Sequence, residues 1–229
     1  MAVRIKLLAF ITALTSALCF GGNVMPWIQE NFSHRESELR FGLSHEDRFG
    51  TSKSHDFRWD EIHNAVSVDY QVLDWMSVGI NDRFVLLRNG SDARYREDHR
   101  PGIDVAFFAK NLYGWDFLNR SRFIYRQVEH EHGYFRYRNL SKAMMPWKFT
   151  EYNIRPFLSY EWYWDDGCKE RVYKNRDKFS QQWFTIGTDF KISENISMSL
   201  WYMLVQLKDT SDHSWMPSNV IGFTVGISF

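Results

Sequence analysis

The sequence predicts an all-β fold: a closed antiparallel transmembrane up-and-down β-barrel of about ten strands, apolar side chains outward. Three observations predict it. Short segments in which apolar and polar residues alternate recur from residue 36 to residue 229, and a period of two belongs to strands with unlike faces. The connections tend to be short at one end and long and charged at the other, as in barrels that cross an outer membrane. Aromatic content reaches 17%, with ten Trp, yet no apolar run after residue 22 is long enough for a spanning helix.

Taken in order, the chain opens with Arg4 and Lys6 ahead of LLAFITALTSALCF, 7–20. A basic start, a short apolar core and small residues at the exit read as an export signal over 1–21, cleaved after Cys19 or after Gly21. A lipoprotein reading of Cys19 would need a small residue before it, where Leu18 stands. Once the signal is removed, Cys168 is the sole cysteine and no internal disulfide forms. Residues 22–35 are expected as an N-terminal periplasmic segment, and 36–229 as the barrel.

The expected strands are 36–48, 57–71, 75–88, 102–111, 115–128, 133–145, 152–164, 178–191, 196–207 and 218–229. Outward fall Leu39, Phe41 and Leu43; Val66, Val68 and Tyr70; Ile103, Val105 and Phe107; Leu158, Tyr160, Trp162 and Trp164; Phe184, Ile186 and Phe190; and Met198, Leu200, Tyr202 and Leu204. A strand of about ten residues, rising ~3.3 Å per residue and tilted by ~40°, covers the ~25 Å of an outer-membrane apolar band. Trp75, Trp115, Trp147 and Trp164 near segment ends suit interfacial girdles. Asp82, Asn119 and Ser121 fall outward against the pattern, and Pro156 calls for a bulge or a strand start. LDW (73–75), LYG (112–114) and SEN (193–195) are the short turns, and 88–100, 165–178 and 208–217 the long charged loops.

The final segment sets Ile221, Phe223, Val225, Ile227 and Phe229 against Gly222, Thr224, Gly226 and Ser228. An unpaired backbone group in hydrocarbon costs several kcal/mol, so a sheet there must close on itself. With ten strands both termini lie at one end, and 218–229 is expected to run antiparallel to 36–48. The terminal Phe229 is also expected to serve the barrel-assembly machinery as a recognition signal.

Equal numbers of basic and acidic residues, 28 each, give no reason to expect nucleic acid as a partner. A mean hydropathy of −0.44 excludes a bundle of membrane helices but fits strands that alternate oily and wet. No glycine-rich phosphate loop, paired zinc cysteines or heptad array occurs, and no cofactor is expected.

Chemistry concentrates in 114–165. Arg120, Arg122 and Arg126 share one face with Arg136, Arg138 and Lys142 of the next segment, followed by Glu161. Inside a barrel these form a charge network with Asp104, Glu161, Glu38 and Glu46, either as a polar core of Arg forks or as a constriction that prefers anions. An enzyme at the cell surface acting on lipid or peptide is the alternative, with His130, His132, Glu129 and Glu131 as its candidate cluster. A soluble barrel holding an apolar ligand would need an oily lumen, which the Arg rows oppose.

The elements HRPGID (99–104), NRSRFIYR (119–126), FRYRN (135–139), RPFLSYEWYWD (155–165) and IGFTVGISF (221–229) resemble the DUF2490 family of exported bacterial proteins. The resemblance implies an outer-membrane β-barrel of a Gram-negative cell, surrounded by outer-membrane lipid. It brings no established activity, catalytic residue or ligand.

Overall fold

The computed structural model describes residues 24–51, 57–89, 94–145, 153–166, 178–208 and 214–229. The expected signal at 1–21, Trp147 and Cys168 lie outside the described residues.

Among the described residues twelve strands follow one another: β1 (Val24–Glu36), β2 (Leu39–Thr51), β3 (Phe57–Leu73), β4 (Met76–Asn89), β5 (Arg94–His99), β6 (Gly102–Leu112), β7 (Trp115–Val128), β8 (Tyr134–Met144), β9 (Arg155–Asp166), β10 (Phe179–Lys191), β11 (Ile196–Lys208) and β12 (Trp215–Ser228). Each pairs antiparallel with its sequence neighbour, except around β5 and β6. β5 pairs with the 84–89 half of β4, and β6 with the 76–81 half. The two therefore occupy one place end to end, interrupted at Arg100 and Pro101. Proline has no N–H to give to a ladder, but its carbonyl accepts from Tyr125 N–H at 2.9 Å, and Arg100 N–H donates to Arg83 O at 2.8 Å. The ring thus has eleven places, in line with the expected count of about ten, but an odd number.

An odd count changes the closure. β12 pairs with β1, in parallel, from Val24 opposite Asn219 to Ser33 opposite Ser228. The expected antiparallel pairing of 218–229 with 36–48 does not occur, because residues 24–36, expected outside the barrel, form a strand between them. Pro26 and Glu30 lie on the outward side of β1, and Gln29 and Asn31 on the other, so polar residues interrupt both faces and the alternation is lost to a sequence reading. Val24 consequently lies at the end with the longer connections, and Phe229 at the end with the tight turns. Phe229 N–H donates to Ser33 O at 3.0 Å, which ties the last residue to β1. β5 is a second strand in a region expected as loop; its run of Arg94, Arg96, Glu97 and Asp98 has no apolar face to reveal it. Pro156 lies at the start of β9.

The outer wall is apolar and exposed. Phe41, Leu43, Val66, Tyr70, Ile80, Phe84, Ile103, Phe123, Phe135, Leu158, Phe184, Ile186 and Tyr202 all stand open to the surroundings. Met198 is the exception among the outward residues, 2% exposed between its register partners Phe190 and Val225. The polar residues of this wall satisfy one another. Asp82 pairs with His99 at 2.7 Å, whose ring stacks on Phe84. The Asn119 side-chain amide donates to Asn139 Oδ1 and to Ser141 Oγ, while the Ser121 and Tyr137 hydroxyls lie 2.9 Å apart. Mutual bonding removes most of the cost of turning such groups outward.

The interior is filled from both chemistries. Trp27, Tyr163, Trp183, Met203, Val205 and Val220 form a buried cluster, with Met25, Trp201 and Leu207 packed against it. Gly222 makes room for it: a Cβ there would fall 1.9 Å from Trp201 Cζ2. β10, β11 and β12 are therefore apolar on both faces over part of their length, so the interior is charged on one side and apolar on the other. A Gln29→Cys, Thr224→Cys pair in a Cys168→Ser background is expected to form a disulfide on oxidation, seen as a mobility shift on electrophoresis of the unfolded chain; a Ser44→Cys, Thr224→Cys disulfide in its place would overturn the parallel closure.

Candidate functional site

The charged side of the interior is laid out by register. On β6 to β9 the alternation turns Asp104, Arg120, Arg122, Arg126, Arg136, Arg138, Lys142, Glu161 and Asp165 inward, with Asp104 directly opposite Arg122 and Arg136 opposite Asp165. Arg122 forks onto Asp104, both bonds 2.5 Å. Arg136 forks onto Asp165 at 2.5 and 2.7 Å. Arg138 forks onto Glu161, its Nη2 at 2.9 Å. Arg122 and Arg138 are themselves register partners, a like-charge pair that would be unfavourable without the two forks.

Three further groups extend this arrangement. Asp98, with a side chain fully buried, accepts from Arg100 at 2.6 and 2.8 Å and from Arg126, which also donates to the Tyr134 hydroxyl at 2.6 Å. Arg48 donates to Glu46 on its own strand and to Glu61 at 3.0 Å. His63, 1% exposed, lies 2.7 Å from Glu61 through Nε2 and 3.4 Å from Arg83 Nη1 through Nδ1. A guanidinium only donates, so His63 Nδ1 accepts and its Nε2–H is given to Glu61. Towards the short-turn end, Lys142 meets Asp189 and Arg155 meets Asp116, each at 2.7 Å.

Aromatic rings join the two sides. Arg48 lies 3.8 Å above the Trp27 ring and 5.7 Å from that of Trp183. Arg138 stands 5.5 Å from Trp183 and 5.3 Å from Tyr163, and Trp27 meets Trp183 edge-on at 5.6 Å. β10, which carries Trp183, neighbours none of β1, β2 and β8 in the ring. These contacts therefore span the interior from wall to wall.

Of the residues that the sequence singled out, Arg122, Arg126, Arg136, Arg138, Lys142, Asp104, Glu161 and Glu46 all sit in this network, Glu46 through Arg48 rather than through the Arg rows. Glu38 does not. It falls in the tight turn between β1 and β2, exposed and bonded to Ser37, because β2 begins only at Leu39. Arg120 points into the same space but has no hydrogen bond or ion pair among the described residues. Asp98, Asp165, Asp189, Glu61, Arg48, Arg83 and His63 were missed. Asp165 was legible, two positions beyond Tyr163 on the face of Glu161; Asp98 was hidden in a stretch expected as loop. The Glu129 to His132 cluster forms a turn in which His130 is 84% exposed beside Glu129. No group of three or more metal-ligating side chains occurs among the described residues.

A family model described as "Protein of unknown function (DUF2490)" matches residues 26–216. The chain belongs to this family, and a barrel closed by a polar and aromatic interior is the form that it takes here. No curated protein matches the sequence. Among solved structures the fold is similar to the NanC porin in a rhombohedral crystal form, with a TM-score of 0.50, 11% identity, 89% of this chain and 98% of that chain covered.

Breaking a buried pair leaves its partner charged and unpaired, at about 3–5 kcal/mol. Asp98→Ala strands both Arg100 and Arg126 and is expected to lower stability by that amount, read from the midpoint of urea unfolding of the refolded barrel. Lys178→Ala, which removes an exposed pair with Asp166, is expected to cost less than about 1 kcal/mol.

Proposed function

We propose that this protein is exported to the outer membrane of a bacterium with two membranes. There it acts as a structural barrel or a narrow passive pore that prefers anions. One observation carries the reading: the barrel is built inside out relative to a soluble protein, with large apolar side chains exposed around the wall and the Arg–carboxylate forks enclosed. Soluble monomers rarely expose apolar patches beyond a few hundred Å², and lipid is the surrounding that suits this wall. The likeness to the NanC porin supports a channel-type barrel over an enzyme at the level of fold. Eleven places lie between the small barrels that side chains fill and the wide porins, and the contacts of Arg48, Trp27, Trp183 and Arg138 narrow the interior further. The closing strand with its exposed Phe229 is the segment offered to the assembly machinery.

In planar bilayers the purified protein is expected to give small, steady conductance steps, and Trp27→Ala with Trp183→Ala is expected to enlarge them several-fold. Recovery of the protein from the soluble periplasm, or steps as large as those of a wide porin, would count against the reading.

A further inference from the structure

We propose that the Tyr163 hydroxyl and the Trp183 indole N–H, backed by the guanidinia of Arg136 and Arg138, hold one monatomic anion of the halide class inside the barrel; the proposal rests on the reading of the interior as one that prefers anions. Tyr163 is 3% exposed and Trp183 9%. Neither the hydroxyl nor the Nε1–H has a hydrogen-bond partner among the described residues. A buried donor left without an acceptor is costly, and native interiors pair almost all of theirs. The neighbouring Trp201 shows the ordinary solution, giving its Nε1–H to Thr224 Oγ1 at 3.2 Å.

Register brings the two donors together. Tyr163 lies opposite Arg138 on β8 and Gln181 on β10, and Trp183 lies opposite Glu161 on β9, so the two rings meet diagonally with centroids 4.7 Å apart. Arg138 stands 5.3 Å from the Tyr163 ring and 5.5 Å from that of Trp183, and Arg136 stands 5.4 Å from Tyr163. Both forks use Nε and Nη2 alone, so each guanidinium keeps its Nη1 protons for another acceptor. The nearby carboxylates are already engaged: Glu161 with Arg138, Asp165 with Arg136, and Glu46 and Glu61 with Arg48. Donors therefore outnumber acceptors in this corner. Water has two protons of its own to place, and the Gln181 amide oxygen is the acceptor without a bond that it would find beside Tyr163 among the described residues. An anion accepts from every side and places none. Size follows from burial: the two rings pack with Trp27, Met203 and Val205, and what fits between them is one atom rather than a polyatomic oxyanion.

The full chain, refolded in detergent, would be unfolded with urea at increasing sodium bromide, the ionic strength held constant with gluconate, an anion too bulky for the position. The midpoint is expected to rise with bromide and to saturate, as it does when a ligand binds the folded state alone. Tyr163→Phe keeps the ring and removes the donor. It is expected to raise the half-saturating bromide concentration about tenfold or more, and Trp183→Phe likewise. In gluconate alone Tyr163→Phe is expected to be no less stable than the wild type, because a donor without a partner has been taken away. Tyr160→Phe, on the outer wall, is expected to leave the bromide dependence unchanged, and phosphate in place of bromide to give no saturable rise. Heat-modifiable mobility on electrophoresis confirms that each variant has folded; should Trp183→Phe not fold, Tyr163→Phe carries the test alone. The proposal is overturned by a midpoint that does not saturate with bromide, by a response unchanged in Tyr163→Phe, or by a phosphate response equal to that of bromide. It is overturned equally by a loss of stability in Tyr163→Phe that is the same in both salts, as a bonded water would give. Because unfolding is read in detergent, its failure is distinct from a failure of the conductance measurement.

Discussion

A sheet with no free edge is the constraint on which the rest of this structure depends. Backbone N–H and C=O groups at an edge must be paired, and nowhere more so than in the lipid setting proposed here. The ring meets that demand with eleven places, and an odd number leaves only a parallel seam between first and last strand. β1 fills it, although its own sequence carries Pro26, Glu30, Gln29 and Asn31 where a clean strand would alternate. The seam is held by backbone geometry and by what lies behind it: Trp27 of β1 packs among Trp183, Trp201 and Val220, so a strand of poor pattern is anchored by one large ring.

Enclosing charge has its own cost. Moving a guanidinium and a carboxylate out of water is repaid only where the geometry is good and the remaining donors are satisfied. Here register supplies that geometry, setting Arg122 opposite Asp104 and Arg136 opposite Asp165. The planar guanidinia are also used as faces, with Arg48 over Trp27 and Arg138 near Trp183 and Tyr163, so the same side chains neutralise the walls and bridge the space between them. A narrow interior follows from these contacts more than from strand number.

Much of this was legible in the sequence, and for a clear reason. Where one face of a strand is oily and the other wet, a period of two states both the strand and its orientation. Leu39 to Leu43, Ile103 to Phe107 and Leu158 to Trp164 stand outward accordingly, and the inward Arg rows follow from the same parity. The polar residues that interrupt the outer pattern, Asp82, Asn119 and Ser121, could be noticed but not explained, because their partners His99, Asn139 and Tyr137 come from other places in the chain.

The residues by themselves determined the fold class, the outward stripe and the enclosure of the central cations, since each of these is local and periodic. Tertiary structure alone decided the number of places in the ring, the parallel closure, the apolar side of the interior and the pairing of each cation. β1 and β5 lack a face of one kind, so alternation is silent about both; it marks β10 to β12 as strands but does not tell that their inward residues pack into one apolar cluster. Pairing depends on register between strands far apart in sequence, as in Arg126 with Asp98 or Lys142 with Asp189, and only the closed sheet sets that register.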